Sequence, residues 1–360
     1  MNKKNISRIM GACLLSCGLA ATLTGCKNGS ADFPDFEGGT TAYFAYQYPV
    51  RTIVLGDDDY DTTLDKAHQC QIKATFGGSY NGSNGTVQVA VDPTLVDGLT
   101  FEDGTPVKAM PESYYSLSTT NLAFNGTFNG TTTVQLTDAF FADPDAVKNT
   151  YVIPLVMTGQ TGFGKILAGE LNEGASPVRQ DASQWAVQPK DFVLYCVKFQ
   201  NKYSGFWLTN GNTSIDNIEK AGNVQIVSKS MNTCTYNVSY QRKYQARTYE
   251  DGNEVPKWED RMFTATLLLT FNDNNQCTIT SLTDGITATG SGTWTDDGAK
   301  KSWNNKDREL LELNYSIPDF GVDDYGNTVE GANTHEMMVW LRSGVSLTGA
   351  SKEFSPVYTK

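Results

Sequence analysis

The segment Thr264-Ala265-Thr266-Leu267-Leu268-Leu269-Thr270-Phe271 decides the fold class. Ala265, Leu267, Leu269 and Phe271 share one face of an extended chain, and Thr264, Thr266, Leu268 and Thr270 share the other. A helix would spread these positions around its axis, so the period of two predicts a strand with one buried face. The turn cluster Asn272-Asp273-Asn274-Asn275 follows, and then a second run of β-forming residues over 276–282. Together they read as a β-hairpin.

The same pattern extends in both directions. Strand-like runs occur at 192–199, 205–208, 224–228, 233–240, 290–294, 309–317 and 336–343, with Asp296-Asp297-Gly298 as a further turn. Eight or nine antiparallel strands in a meander predict a barrel-like (calycin- or lipocalin-like) domain over 191–360, or a second sandwich. Upstream, runs at 43–55, 70–76, 86–91, 114–124, 132–136 and 151–158 are separated by short turns. Their spacing predicts an immunoglobulin-like β-sandwich over 41–160. Pro154, within the last run, predicts an edge strand or a bulge. Residues 161–190, rich in Gly, Ser, Pro and Gln, read as a connector. No long helical period occurs, and the expected class is all-β.

The N-terminus reads differently. Lys3, Lys4 and Arg8 precede an apolar run that ends in Leu23-Thr24-Gly25-Cys26. The run is too short to span a bilayer and reads as a signal peptide over 1–25. Its end resembles the lipobox of bacterial lipoproteins, in which the cysteine is acylated and becomes the new N-terminus. Cys26 is thus the expected lipidation site, and 26–40 a polar tether. Cleavage removes three positive charges and no negative ones from a chain of net charge −12, leaving −15. So acidic a surface repels nucleic acid and anionic headgroups, and a neutral partner such as a carbohydrate is easier to accommodate. Cys70, Cys196, Cys234 and Cys277 remain beside Cys26, with no C-x-x-C spacing that would suggest zinc. They read as buried thiols, with a Cys234–Cys277 disulfide as the alternative.

Several stretches together carry a family resemblance. They are Leu64-Asp65-Lys66-Ala67-His68-Gln69-Cys70-Gln71-Ile72, Gly77-Gly78, Met110-Pro111-Glu112-Ser113-Tyr114-Tyr115-Ser116-Leu117, Val134-Gln135-Leu136-Thr137-Asp138-Ala139-Phe140-Phe141 and Tyr151-Val152-Ile153-Pro154-Leu155. These resemble an N-terminal domain of unknown function found in Bacteroidetes surface lipoproteins, including in front of family-18 endoglycosidase modules. Residues 189–203, Gly292-Thr293-Trp294 and Lys301-Ser302-Trp303 resemble the β-rich C-terminal domain of its non-catalytic relatives. The resemblance implies an immunoglobulin-like domain, a second β-domain and a setting among glycan-utilisation proteins. It carries over no catalytic residue, because no family-18 module is present. Surface-exposed relatives often place an acidic cluster directly after the lipidated cysteine. Here Lys27-Asn28-Gly29-Ser30 comes first, and Asp32, Asp35 and Glu37 follow.

Other constellations are weaker. His68 and His335 are the only histidines, which argues against a Ser-His-Asp triad or a His-rich metal site. Gly159-Gln160-Thr161-Gly162-Phe163-Gly164-Lys165 approaches a phosphate-binding loop, but Ile166 stands where Ser or Thr must hold magnesium. Asp57, Asp58, Asp59 and Asp61 crowd one turn without the glycine or glutamate of a calcium loop. Trp207, Trp294 and Trp340 lie in strand-like runs and read as core. Trp258 and Trp303 lie in loops among charged residues and read either as ligand-facing, with Asn305, Asp307 and Arg308 as candidate partners for sugar hydroxyls, or as plugs that pack their own loops.

The expected protein is a non-catalytic, surface-exposed outer-membrane lipoprotein. It would bind a glycan or glycoprotein within a polysaccharide-utilisation system, alongside outer-membrane transport proteins, with no cofactor, metal or nucleic acid. The alternatives are a structural or adhesin-like interaction lipoprotein and a glycoside hydrolase. Cys26→Ser is expected to abolish acylation and move the protein to the soluble or unprocessed fraction; continued partitioning into membranes would contradict the lipobox assignment.

Overall fold

The computed structural model describes residues 34–45, 50–56, 61–213, 218–344 and 357–358. The lipobox with Cys26, the start of the tether and the crowded Asp57, Asp58 and Asp59 lie outside the described residues. The described chain is nearly all-β, as expected.

Two facing sheets form the first domain. One has the order Lys165–Ile166, Thr41–Phe44, Gln69–Gly77, Asn129–Leu136, Tyr115–Leu117. The other has the order Val50–Val54, Phe192–Gln200, Tyr151–Thr161, Thr86–Val91, Asn121–Ala123. Alternating residues such as Cys70, Ile72, Ala74 and Phe76, with Val87, Val89, Val134, Leu136, Ile153 and Leu155, fill the layer between them.

The structure corrects three expectations here. Phe192–Gln200 does not open the second domain: it pairs antiparallel with Tyr151–Thr161 and parallel with Val50–Val54. Its Val193, Val197 and Phe199 enter the sandwich core, while Phe192, Leu194 and Cys196 join a second cluster with Leu95, Leu99, Phe101, Val107 and Val152. A strand apolar on both faces needs cover on both faces, and the first domain supplies it. Residues 161–190 are likewise ordered parts of that domain. Lys165–Ile166 lies parallel to Thr41–Phe44, Glu170–Leu171 pairs with Trp185–Val187, and Arg179 grips buried Asp191 through two nitrogens. Pro154 sits in a central strand rather than at an edge. Its carbonyl accepts from Asp92 N–H just beyond the Thr86–Val91 ladder, so its missing N–H falls where no ladder partner stands. The register shift comes later, between Met157 and Gly159.

The second domain is a closed up-and-down barrel of eight strands, Gly205–Thr213, Ile218–Ser228, Thr233–Glu250, Asn253–Phe271, Gln276–Ser281, Thr289–Ala299, Arg308–Val322 and Thr328–Arg342. Successive strands reverse direction, so the connections alternate between a proximal end, beside the first domain, and a distal end. Two strands are far longer than their neighbours need. Thr233–Glu250 and Asn253–Phe271 pair along their whole length, yet Ile218–Ser228 meets the former only at Cys234–Tyr236, and Gln276–Ser281 meets the latter only at Leu267–Phe271. The rest of this hairpin forms an arm at the distal end. Its inner face carries Tyr240, Tyr244 and Phe263 against Phe320, and the Tyr244 hydroxyl donates to Asp324.

Side chains fill the barrel interior. Trp207, Trp294 and Trp340 are buried, as expected. Glu336 is 0% exposed and accepts from the hydroxyls of Tyr236 and Tyr315; Tyr315 contacts Tyr240, and Tyr240 contacts Thr334. Cys70, Cys196, Cys234 and Cys277 are free thiols, each buried and each pushed up to about 12 by burial. Glu336→Ala would strand the Tyr236 and Tyr315 hydroxyls and open a void. Thermal or urea unfolding is expected to show a loss of about 2–5 kcal/mol, and an unchanged Tm would contradict the network.

Candidate functional site: the outer face of the barrel arm

Barrels of this kind can hold a ligand inside, but the residues around Glu336 leave no room. Leu267, Leu269, Leu311, Leu313, Met338 and Glu336 all have 0% accessible surface, so no water-sized space touches them. The candidate contact residues are therefore those on the exterior.

The expected site residues separate. Trp258 and Trp303 are both largely exposed, at 59% and 51%. Trp303 lies in the proximal loop between Thr289–Ala299 and Arg308–Val322, whereas Trp258 lies on the distal arm, so the two do not form one site. Arg308 is no surface residue: it is 5% exposed, stacks over Trp340 at 5.8 Å and donates to Leu341 O. It enters the barrel wall with strand Arg308–Val322, one residue past the loop. Asp307 is committed to its own loop, accepting from Lys301 N–H and Lys300 Nζ, and these bonds hold its carboxyl below the usual range. Lys301, Asn304 and Asn305 all have positive φ, which curls the loop tightly around Trp303.

Trp258 was expected in a loop and lies in a strand, cross-paired with Gln245. The local cause is Asp251-Gly252, both at positive φ (49° and 80°), which is the pairing that a tight hairpin turn requires. Alternation then places Trp258 on the outward face. From base to tip, that face presents Met262 opposite Gln241, Asp260 opposite Lys243, Trp258 opposite Gln245, Pro256 opposite Arg247 and Glu254 opposite Tyr249. Met262 and Tyr249 are as exposed as Trp258. Lys243 pairs with Asp260 at 2.7 Å, and Arg247 with Glu254 at 3.3 Å.

The turn after Val322 braces the arm. Asp324 accepts from Tyr244 Oη and from Arg247 N–H, which hold its carboxyl low, and Asn327 donates to Gln245. Beneath the arm, the Arg261 guanidinium lies 3.5 Å from the Tyr244 ring. The exposed face is thus fixed on a braced strand pair, and an aromatic flanked by amide and charged groups can stack a ring while bonding its substituents. Sequence reading missed Tyr249, Met262, Gln245 and Arg247. The Asp251-Gly252 pair between two alternating runs is the signal that finds them.

The remaining candidates are structural or shallow. His68, at φ 57°, packs its ring 4.2 Å from that of Phe141, and His335 pairs with Glu312 at 3.1 Å beside an open groove of about 430 Å³. Gly159–Lys165 contains no phosphate loop. Gly162 turns the chain, and Gly164 and Lys165 N–H bond Thr40 O. Among the described residues, no three His, Cys, Asp or Glu side chains are grouped to hold a metal ion.

Comparison with known proteins matches both domains. Residues 202–342 match the family described as Domain of unknown function (DUF5627), and residues 36–164 match a family described as an N-terminal domain. The chain is similar to a Bacteroides ovatus protein of unknown function from structural genomics, with 30% identity over 91% of this chain and 100% of that one and a TM-score of 0.73. A Bacteroides ovatus multidomain protein including DUF1735 shares 12% identity over 83% of this chain and 94% of its own, with a TM-score of 0.34. A third Bacteroides ovatus protein, described provisionally as carbohydrate binding, shares 12% identity over 81% of this chain and 79% of its own, with a TM-score of 0.29. No curated protein matches the chain.

Exposure separates the variants. Trp258→Ala and Trp303→Ala are expected to leave stability within about 0.5 kcal/mol of the parent, as surface substitutions do. Arg308→Ala is expected to cost about 1–3 kcal/mol through lost packing on Trp340 and lost hydrogen bonding. Differential scanning calorimetry of the three variants checks the ranking.

Proposed function

We propose that this chain, which belongs to a family of two-domain Bacteroides proteins of unknown function, is a non-catalytic binding protein that holds a glycan or glycoprotein on the outer face of its barrel arm. The observation that carries this reading is the exposed Trp258 on a braced strand, flanked by Gln245, the Lys243–Asp260 pair and the Arg247–Glu254 pair. Sugar rings present C–H faces to an indole and hydroxyls to amides and carboxylates, and this face offers both. The net charge of −12 disfavours polyanions and leaves neutral saccharides unopposed.

Residues 23–26 support a place in the cell envelope: an acylated Cys26 would tether the domains at the outer membrane, near the transport proteins that import oligosaccharides. A second reading, docking of another protein, is favoured by Tyr249, Arg247 and Met262, residue types enriched in protein interfaces.

A glycan array with residues 27–360 separates the two, and reducing-sugar release by the same sample tests for hydrolysis. Binding is expected without hydrolysis, and Trp258→Ala is expected to weaken it by about 1–3 kcal/mol, the range for an aromatic anchor. An array in which Trp258→Ala matches the parent on every bound glycan removes the arm as the site.

A further inference from the structure

We propose that three loops at one end of the first domain, 34–39, 78–84 and 125–129, form a second, independent saccharide-binding face. This rests on the glycan reading of the protein but uses none of the arm's residues. Three large aromatics stand out of these loops, Phe36 and Tyr80 at 67% exposure and Phe128 at 45%. Large aromatics this exposed leave much of their surface in water, and here they come from three separate loops that the backbone ties together.

The ties are explicit. Phe36 N–H donates to Gly78 O at 2.9 Å, and Tyr80 N–H donates to the Asp35 carboxylate at 3.0 Å. Ser83 N–H donates to Thr127 O, and Gly126 N–H returns a bond to Ser83 O. The second and third loops touch so closely that a Cβ on Gly82 would lie 1.9 Å from Gly126 O. Below them, Phe76, Phe124 and Phe163 pack ring against ring at 4.8–5.7 Å, and Phe128 stacks on Phe76 at 5.7 Å and 19°. Phe128 is therefore held from beneath and exposed above. A surface ordered before its ligand arrives loses little entropy on binding.

The chemistry of the loops selects the occupant. Residues 78–84 and 125–129 supply Ser79, Asn81, Ser83, Asn84, Asn125, Thr127 and Asn129, and no Lys, Arg, Asp or Glu; residues 34–39 add Asp35 and Glu37. With hydroxyls and amides beside exposed rings, two carboxylates and no cation, the face suits a neutral polyhydroxylated ring and rejects sulfated or uronic chains. Aromatics set among Ser, Asn and Gly also combine rigid contact area with adaptable hydrogen bonding.

The test uses residues 27–360 on a panel of neutral oligosaccharides (mannan, xylan, galactan, β-glucan and chitin fragments) with heparin and polygalacturonate beside them. A Phe36→Ala/Tyr80→Ala variant, with Phe128→Ala separately, is compared with Trp258→Ala. The expected result is that the loop variants lose at least about tenfold in Kd for one or more neutral glycans that Trp258→Ala still binds, at unchanged Tm. Should the double variant melt earlier, Tyr80→Ala alone repeats the measurement. Loop variants that bind every glycan as the parent does overturn this face and leave the arm standing. Binding confined to heparin or polygalacturonate overturns it as well. A parent protein that binds nothing on the panel overturns both this face and the glycan reading.

Discussion

The hydroxyls of Tyr236 and Tyr315 donate to a carboxylate, Glu336, that has no accessible surface, and the rest of the second domain is arranged around that bond pair. Each phenol has one proton. Because Tyr315 uses its proton on Glu336, Tyr240 must donate to Tyr315, and Thr334 must donate to Tyr240, so the four groups form a one-way chain ending at the carboxylate. Burial and the adjoining carboxylate push the Tyr236 and Tyr315 phenols well above their ordinary range, which keeps both as donors. The chain links strands Thr233–Glu250, Arg308–Val322 and Thr328–Arg342 across the barrel, so the bonds that fill the lumen also tie its walls together. At the level of Glu336 a barrel closed in this way leaves no interior pocket.

Strand direction then separates the barrel's outer surfaces. Because the meander reverses at every step, the Trp303 loop and the Trp258 arm fall at opposite ends. At the proximal end Lys202 bonds Asn275, lies over the Trp294 ring and meets Gly56 of the first domain so closely that a Cβ there would lie 2.4 Å from the Lys202 Cβ. At the distal end the two longest hairpins meet. The Asp323–Asn327 turn of one covers part of the strand edge of the other, with Asp324 taking the Arg247 N–H that would otherwise be open. Covering that edge discourages pairing with a second chain while leaving the outward face bare.

Much of this was legible in residue order. Alternation at 264–271 and the turn at 272–275 placed the barrel core correctly, because strand periodicity and a polar turn are local signals. The burial of Trp207, Trp294 and Trp340 followed from the same logic. Phe192–Gln200 was legible in kind but not in partner: an apolar run on both faces marks a central strand, but nothing in its own residues says which sheet covers it. Arg308 misled for a related reason. It stands one residue beyond an exposed loop, and only the register of the strand it begins turns its side chain into the wall over Trp340. Trp258 was chosen for its exposure, which holds, but placed in a loop, because its charged neighbours masked a strand pairing that Asp251-Gly252 had already set.

The two domains solve the problem of presenting aromatics to water in different ways. On the arm, alternation does it: a strand pair with one braced face must point every second residue outward, and Trp258, Tyr249 and Met262 occupy those positions. In the first domain the sheet containing Phe192–Gln200 is covered on both faces, and the outward positions of the other sheet carry polar residues such as Gln71, Lys73 and Thr133. The aromatics there stand on loops instead, and loops hold a side chain in place only if something fixes the backbone. The Gly82–Gly126 approach and the Phe76–Phe128 stack do this. Gly82 lies in space that no side chain could share, and Phe128 lies on a ring that is itself wedged in the core. A cost is accepted at each place, an unbranched backbone at one and a half-exposed phenyl at the other. Neither is needed to close the sandwich, whose core between the sheets is already filled by Ile72, Leu122, Ile153 and Phe199.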